Sequence, residues 1–437
     1  MSSTVLWMFP ALMVLIFLGF PVAFSMMLTA LGFGLIRFGD TLVHQLVSRI
    51  DDVATNYILG AIPLFIFMGS ILERAGIAER LFDALFLWTR RLPGGLAIAA
   101  LMMCTIFAAA SGVVGATETL VGMIAIPAMM KRNYDKALIS GTICGGGSLG
   151  TIIPPSVPVV VLAPVASIPV GDLLAGILFP GLLMSGLFIL YILFACGLNP
   201  KLAPPDVEGN EPGFLQKVKL TAVAILAPGF LILMVLGTLF MGLATPTEAA
   251  ACGSIGVLVL ALLFGRLTWN LLLRSALQTV GITAMILLIV LAGSMFSGVF
   301  FASGGMIATN QILNSFGLSS WALMAIILVV TFLLGFVLDL ISIVLIVVPL
   351  AIPLVKAVGI DPLWFSVVML VVLQTSYLTP PMAPSIFYLK AIAPPTIRLG
   401  EMYRGVVPFI GCQVLTLVLL LTFPQIATWL PKAMYGN

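Results

Sequence analysis

Charge is scarce in this sequence. Only 8% of its 437 residues are Asp, Glu, Lys or Arg, against about a quarter in a soluble globular domain. Most of its surface therefore cannot face water. With 61% apolar residues and a mean hydropathy of +1.24, its natural solvent is lipid. Histidine occurs once, at His44, so no multi-histidine metal site can be built within the chain. The five cysteines, Cys104, Cys144, Cys196, Cys252 and Cys412, show no CxxC spacing and read as buried inert thiols. No Gly-x-x-x-x-Gly-Lys-Ser/Thr loop is present, and residues 145–150 lack the lysine that sits beside phosphates, which excludes ATP as the direct energy source. A formal charge of +3 is too weak to imply nucleic acid. The first charge is Arg37, so no basic n-region of a cleaved signal precedes residues 6–36, which are expected to be retained membrane structure, split or kinked. One histidine and few acids in apolar surroundings leave no catalytic cluster, so an enzyme is not expected.

What is present are long charge-free intervals. A span needs about 20 residues, so residues 53–72 form one, and 92–130, interrupted only by Glu118, are too long for one. Residues 137–171 carry no charge but hold Gly145-Gly146-Gly147-Ser148 and two adjacent prolines, which predicts re-entry, a hairpin or a discontinuous helix. Residues 173–196 form a further span, followed by a water-like seam at 199–219. Residues 220–264 are expected to cross twice around 242–247, and 275–338 two or three times, with breaks at 303–305 and 314–320. Residues 341–355, 364–389 and 406–430 complete about ten to twelve membrane elements. Residues 73–91 and 390–404 mix basic and apolar residues as interfacial helices do. Arg90-Arg91 and residues 266–274 are the candidate cytoplasmic anchors.

The two halves repeat a proline signature. Thr151-Ile152-Ile153-Pro154-Pro155-Ser156-Val157-Pro158 returns as Tyr377-Leu378-Thr379-Pro380-Pro381-Met382-Ala383-Pro384, offset by 226 residues. Residues 112–127 align loosely with 335–349, and Met68-Gly69-Ser70 with Ala292-Gly293-Ser294. Repeated halves with interrupted helices at matching places point to a secondary transporter, in which unwound carbonyls bind a cation and helix amino ends face an anion. The broken segments carry Ser111, Thr117, Thr119, Ser148 and Thr151 in one half and Thr375, Ser376 and Thr379 in the other, oxygen donors suited to sodium. Asp339 follows 64 charge-free residues, and as a buried acid it requires a cation or a donor; it is either a sodium ligand or a helix cap. Glu118 is the other deep acid, open to sodium, to a proton or to a cationic or hydroxylated part of a solute. Glu248, in Thr245-Pro246-Thr247-Glu248, fits the start of a helix.

These signatures, with Ile62-Pro63-Leu64-Phe65-Ile66-Phe67-Met68-Gly69, Gly242-Leu243-Ala244-Thr245-Pro246-Thr247-Glu248 and Leu373-Gln374-Thr375-Ser376-Tyr377-Leu378-Thr379-Pro380-Pro381, resemble the large membrane subunit of tripartite ATP-independent periplasmic (TRAP) transporters, the DctM-like family. The resemblance implies an all-α polytopic protein of the bacterial inner membrane, with inverted repeats, two re-entrant helical hairpins and elevator-type sodium symport of a small organic acid. It also implies two partners, a small four-helix membrane subunit and a periplasmic solute-binding protein, and no cofactor beyond the coupling sodium. On that pattern residues 1–92 are scaffold helices with an interfacial arm, 93–198 the first transport repeat with a hairpin near 145–158, and 199–219 a linker. Residues 220–310 are then the second scaffold and the start of the second repeat, 311–404 the second transport repeat with a hairpin near 370–384, and 405–437 a C-terminal helix. By position, one sodium site is implied at Ser111, Gly115, Gly147, Ser148, Thr151 and Pro154, and another at Gly335, Asp339, Thr375, Thr379 and Pro380. Solute contacts are implied for Thr117, Glu118, Pro155 and Pro381. Glu118 departs from the small or apolar residue that the resemblance implies there.

Overall fold

The computed structural model describes residues 3–112, 114–204, 213–315, 319–381 and 383–436, excepting the side chains of residues 3, 4, 111, 114, 116, 310, 312–315 and 435. Every regular element among the described residues is helical. The first group comprises α1 (Met8–Phe17), α2 (Val22–Phe38), α3 (Thr41–Ala54), α4 (Ala61–Arg74) and α5 (Ile77–Thr89). Next come α6 (Gly95–Ser111), α7 (Val114–Lys131), α8 (Lys136–Ser148), α9 (Val157–Ala166) and α10 (Val170–Leu198). Beyond the seam, α11 (Phe214–Ile232) continues through a π-helical turn into α12 (Thr238–Phe240), followed by α13 (Pro246–Leu263), α14 (Trp269–Ala302) and α15 (Gly305–Ser315). The last group is α16 (Ser320–Leu334), α17 (Leu340–Ala357), α18 (Pro362–Leu378), α19 (Pro384–Ile392), α20 (Leu399–Thr422) and α21 (Gln425–Tyr435).

Among the described residues, seven helical stretches are long and apolar enough to cross a bilayer: Tyr57–Arg74, Val170–Leu198, Phe214–Phe240, Pro246–Leu263, Trp269–Ala302, Leu340–Ala357 and Leu399–Thr422. Six shorter apolar helices accompany them. The full-length spans are fewer than the ten to twelve membrane elements expected because several of those elements are short helices, and four of the apolar intervals divide. Residues 92–130 break after Ser111, 137–171 break between Ser148 and Val157, and 364–389 break between Leu378 and Pro384. Residues 406–430 likewise divide at Pro424, into α20 and α21. Around these breaks the helices pack so that α8 and α18 lie innermost, with residues 138–148 of α8 fully buried. Large apolar side chains such as Phe17, Ile36, Leu226, Leu263 and Leu333 are exposed, as a lipid-facing surface requires.

The Gly145-Gly146-Gly147 run does not interrupt α8; the helix continues to Ser148. The glycines serve packing instead. A Cβ at Gly145 would lie 2.5 Å from the Phe409 ring of α20, one at Gly146 would lie 2.7 Å from the Cys104 sulfur of α6, and one at Gly147 would overlap Glu118 of α7. Three helices therefore close on one turn of α8, a packing that costs the backbone freedom glycine loses on folding and gains close contact on three sides. Further down the same helix, a Cβ on Gly141 would overlap the Gly405 carbonyl, and one on Gly405 would overlap the Ala137 carbonyl. Because backbone cannot step aside, Gly405→Ala is expected to lose about 1–3 kcal/mol or more by overpacking, read as a lower thermal-unfolding midpoint of the purified protein.

Residues 73–91 contain α5, which buries Ile77, Ala78, Leu81, Phe82, Ala84 and Leu85 and packs on α6 and α11. The amphipathic helix that the sequence reading passed over is α3, which exposes Val43, Val47 and Ile50 beside Arg49 and Asp52, the two charges forming a 3.2 Å surface pair. Of the seam, residues 205–212, with Asp206, Glu208 and Glu211, lie outside the described residues. Glu248 is a cap, as expected: its Oε2 accepts from Thr245 N at 2.8 Å while its own N–H donates to Thr245 Oγ1 at 3.4 Å.

Candidate functional site

Two helices stop inside the protein. At the carboxyl end of α8, three hydroxyls donate to main-chain carbonyls in sequence: Ser148 Oγ to Gly145 O at 2.7 Å, Thr151 Oγ1 to Ser148 O at 2.8 Å and Ser156 Oγ to Thr151 O at 2.7 Å. All three are fully buried. A helix end leaves carbonyls without intrahelical partners and carries partial negative charge, so this turn concentrates oxygen lone pairs away from water. The α6–α7 junction closes over it. Gly112, with φ +61°, accepts from Val157 N at 3.3 Å, and a Cβ there would overlap the Pro155 carbonyl.

Ser148 also accepts two side-chain amides, Gln374 Nε2 of α18 at 3.1 Å and Gln413 Nε2 of α20 at 3.2 Å. Ser148 and Gln374 are separated by 226 residues, the offset of the proline signatures, so two positions equivalent by sequence touch directly. The Oε1 atoms of Gln374 and Gln413 are buried and have no hydrogen-bond partner among the described residues. Neither glutamine was anticipated as a site residue.

The second break is built alike but is more open. At the end of α18, Thr379 Oγ1 donates to Thr375 O at 2.7 Å, Thr375 Oγ1 to Val371 O at 2.8 Å and Ser376 Oγ to Leu373 O at 2.8 Å. Thr375 is buried and Thr379 half-buried, whereas Pro380 and Pro381 are exposed; Pro154 and Pro155 of the first break are buried. The α16–α17 junction closes over this turn as the first junction does over its own. A Cβ at Gly335 would overlap the Ser376 hydroxyl.

Asp339 is exposed, not buried as the preceding apolar run suggests; that run ends in a turn at residues 335–338, and the acid follows it at the start of α17. It caps α17, accepting from Ser342 N at 3.2 Å and from Ser342 Oγ, which satisfies an amino-terminal N–H that the helix leaves open. Asp339→Ala is expected to lower stability by about 1 kcal/mol and Asp339→Asn to restore most of it, measured by thermal unfolding.

Glu118 is wholly buried in α7. Its Oε1 accepts from Ser385 Oγ of α19 at 2.7 Å; Ser385 also lies 3.3 Å from Cys144 O of α8. Its Oε2 has no hydrogen-bond partner among the described residues. One charge-assisted hydrogen bond contributes about 1.5–3 kcal/mol, while removing a carboxylate from water costs several. The field of the α7 amino end fades within a turn, and Glu118 lies beyond that turn. The Tyr388 ring of α19 lies 2.7 Å from where a Gly115 Cβ would be. Thr117 is buried on the same helix, and the Ser111 side chain lies outside the described residues. Among the described residues no cluster of three or more His, Cys, Asp or Glu side chains could hold a metal ion.

Residues 9–426 match the family described as the tripartite ATP-independent periplasmic transporter, DctM component. The chain is 30% identical over 406 residues to a C4-dicarboxylate TRAP transporter large permease of Pseudomonas aeruginosa, covering 91% of this chain and 92% of that one. It is 31% identical over 441 residues to an ectoine/5-hydroxyectoine TRAP large permease of Ruegeria pomeroyi, covering 98% of each. A sialic acid TRAP large permease of Vibrio cholerae is 28% identical over 430 residues, covering 97% of each. In structure, the chain resembles the Alcanivorax borkumensis YdaH transporter with a TM-score of 0.63 at 17% identity, over 91% of this chain and 90% of the other, a likeness of fold alone.

Proposed function

Because the chain belongs to the DctM family of TRAP transporter large permeases, multi-pass membrane transporters and not enzymes, we propose that it couples entry of sodium to import of a small organic acid delivered by a periplasmic binding protein. A small membrane subunit pads the stationary part, and the host membrane is the bacterial inner membrane. The observation that carries this reading is the pair of helix carboxyl ends, at Ser148 and at Leu378, stopped within the protein and lined by hydroxyl oxygens. Such ends attract a cation without placing several formal charges in lipid.

The first sodium sits among Gly147, Ser148, Thr151 and the residues before Pro154, with Ser111 and Gly115 at the junction above. The second sits among Gly335, Thr375, Thr379 and Pro380, with the Asp339 charge close by. The amino ends of α7, α9, α17 and α19 supply partial positive charge for a solute carboxylate, held near Gly115, Pro381 and Tyr388. Thr117 and Pro155, both buried, support that pocket from behind. In place of the hairpins expected near 145–158 and 370–384, this reading takes as hairpins the helix pairs α6/α7 and α16/α17, which pack against one another within each pair. The proline pairs then mark the discontinuous helices those hairpins cover. In this reading α6–α10 and α16–α21 move as an elevator against a frame of α1–α5 and α11–α15.

Sodium binds first and orders both turns, and the anion follows because the cation offsets its charge. Coupling is reciprocal between ion and solute. If net positive charge enters, the membrane potential adds about 2.3 kcal/mol per elementary charge for each 100 mV. A zwitterionic solute is the second reading, favoured by the ectoine permease among the relatives.

Reconstitution with both partners and a sodium jump across a library of organic acids and zwitterions tests the proposal. Accumulation of one solute that needs an inward sodium gradient, with counterflow of preloaded solute, is the expected result; sodium-independent flux without counterflow would describe a pore instead. Asp339→Asn keeps the helix cap but removes the charge, so it should lower the apparent sodium affinity of uptake. An unchanged sodium titration would take Asp339 out of the second site.

A further inference from the structure

We propose that Ser297 of α14 is a positioning residue that catches α17 in the state seen here, and that its hydroxyl must let go before α17 can move along α14. This rests on the division into frame and moving unit proposed above, which places α14 in the first and α17 in the second.

The sequence of α17 prepares the acceptor. Pro349 lies inside that helix, and proline has no N–H to give to the carbonyl four residues before it. The carbonyl so freed is that of Leu345. In apolar surroundings it needs a donor from elsewhere. Ser297 Oγ supplies one at 3.0 Å, from 48 positions away in the sequence.

The donor has a nearer choice and does not take it. A serine or threonine inside a helix ordinarily donates to a carbonyl three or four residues back. On α14 itself Ser294 does so to Leu291 O at 2.8 Å, and Thr279 to Ser275 O at 2.7 Å. Ser297 crosses to α17 instead. Gly293, one turn earlier on the same face, permits the approach, since a Cβ there would lie 2.6 Å from Leu345 Cβ. Close by, the two bodies part. A crevice of about 260 Å³ is walled by Val53 and Ser294 of the frame and by Val161 and Pro349 of the moving unit. The bond is thus a point of attachment at the edge of an open seam. The carbonyls on either side of Leu345 face helical N–H donors of their own, so a hydroxyl displaced by one residue finds an acceptor already taken.

Single-molecule energy transfer in nanodiscs tests this on the full chain without solute. The dyes are attached through an unnatural amino acid at Ile255 of α13 and Val407 of α20, both exposed. The unaltered chain is expected to exchange between two distances. Ser297→Ala should shorten the dwell at the distance of the present structure about two- to tenfold, the weight of one net hydrogen bond. Ser294→Ala, which loses a bond within α14 alone, should leave that dwell unchanged. Two exchanging distances with the same dwell in Ser297→Ala as in the unaltered chain, or an equal shortening in Ser294→Ala, would overturn the catch and leave the moving unit standing. A single distance in every variant would contradict the division into frame and moving unit, and the catch with it.

Discussion

Ser148→Ala is expected to lower stability by about 2–6 kcal/mol, since it removes the acceptor of two buried amides and each orphaned donor costs about 1–3 kcal/mol. The hydroxyl is the meeting point of α8, α18 and α20, through Gln374 at 3.1 Å and Gln413 at 3.2 Å. No water can replace it from bulk, because all three residues are fully buried. Where the protein still inserts, sodium-dependent uptake should be lost with it, as the turn that this hydroxyl holds in place belongs to the proposed first sodium site. Ser156→Ala is the control. Its hydroxyl serves one backbone carbonyl, so its loss orphans one buried group rather than two and should cost about 1–3 kcal/mol. Equal damage from the two variants would remove Ser148 from its central place.

Gly147→Ala carries the second large effect. The added methyl overlaps Glu118 Cγ, and neither side can retreat. Helix α8 is held by backbone contact between Gly141 and Gly405, and Glu118 by its bond to Ser385. Overpacking of about 1–3 kcal/mol or more is expected, with uptake falling to near background as the turn at Ser148 shifts. A double variant, Gly147→Ala with Glu118→Ala, removes the colliding atom and should recover stability relative to Gly147→Ala alone. Strict additivity of the two substitutions in thermal unfolding would show that the two residues do not meet.

Much of the fold was legible because lipid is a severe filter. Charge-free intervals had to be helices, and the doubled prolines had to stop them, so the breaks after Ser148 and Leu378 fell where the sequence placed them. Other signals were ambiguous in physical terms. A run of glycines weakens a helix in water, but in a crowded core it admits neighbours, which is why α8 runs through Gly145-Gly146-Gly147. Asp339 ends a long apolar run, yet the run stops at a turn, so the acid caps α17 in the open. The α3 helix escaped notice because its charges interrupt every apolar interval, although its amphipathic face was there to be read. Gln374 and Gln413 are uncharged and sit in apolar surroundings, so no charge count finds them. The offset of 226 residues that pairs Gln374 with Ser148 was the available signal; for Gln413 there was only an amide in a stretch of apolar residues.

The most direct measurement is equilibrium binding of radiolabelled sodium to the purified chain, alone and as Ser148→Ala and Thr379→Ala. Saturable binding that weakens in both variants is predicted, because each removes an oxygen from one of the two interrupted turns. Sodium that fails to bind saturably, or binds both variants as tightly as the unaltered chain, would contradict the claim that these turns hold the ion.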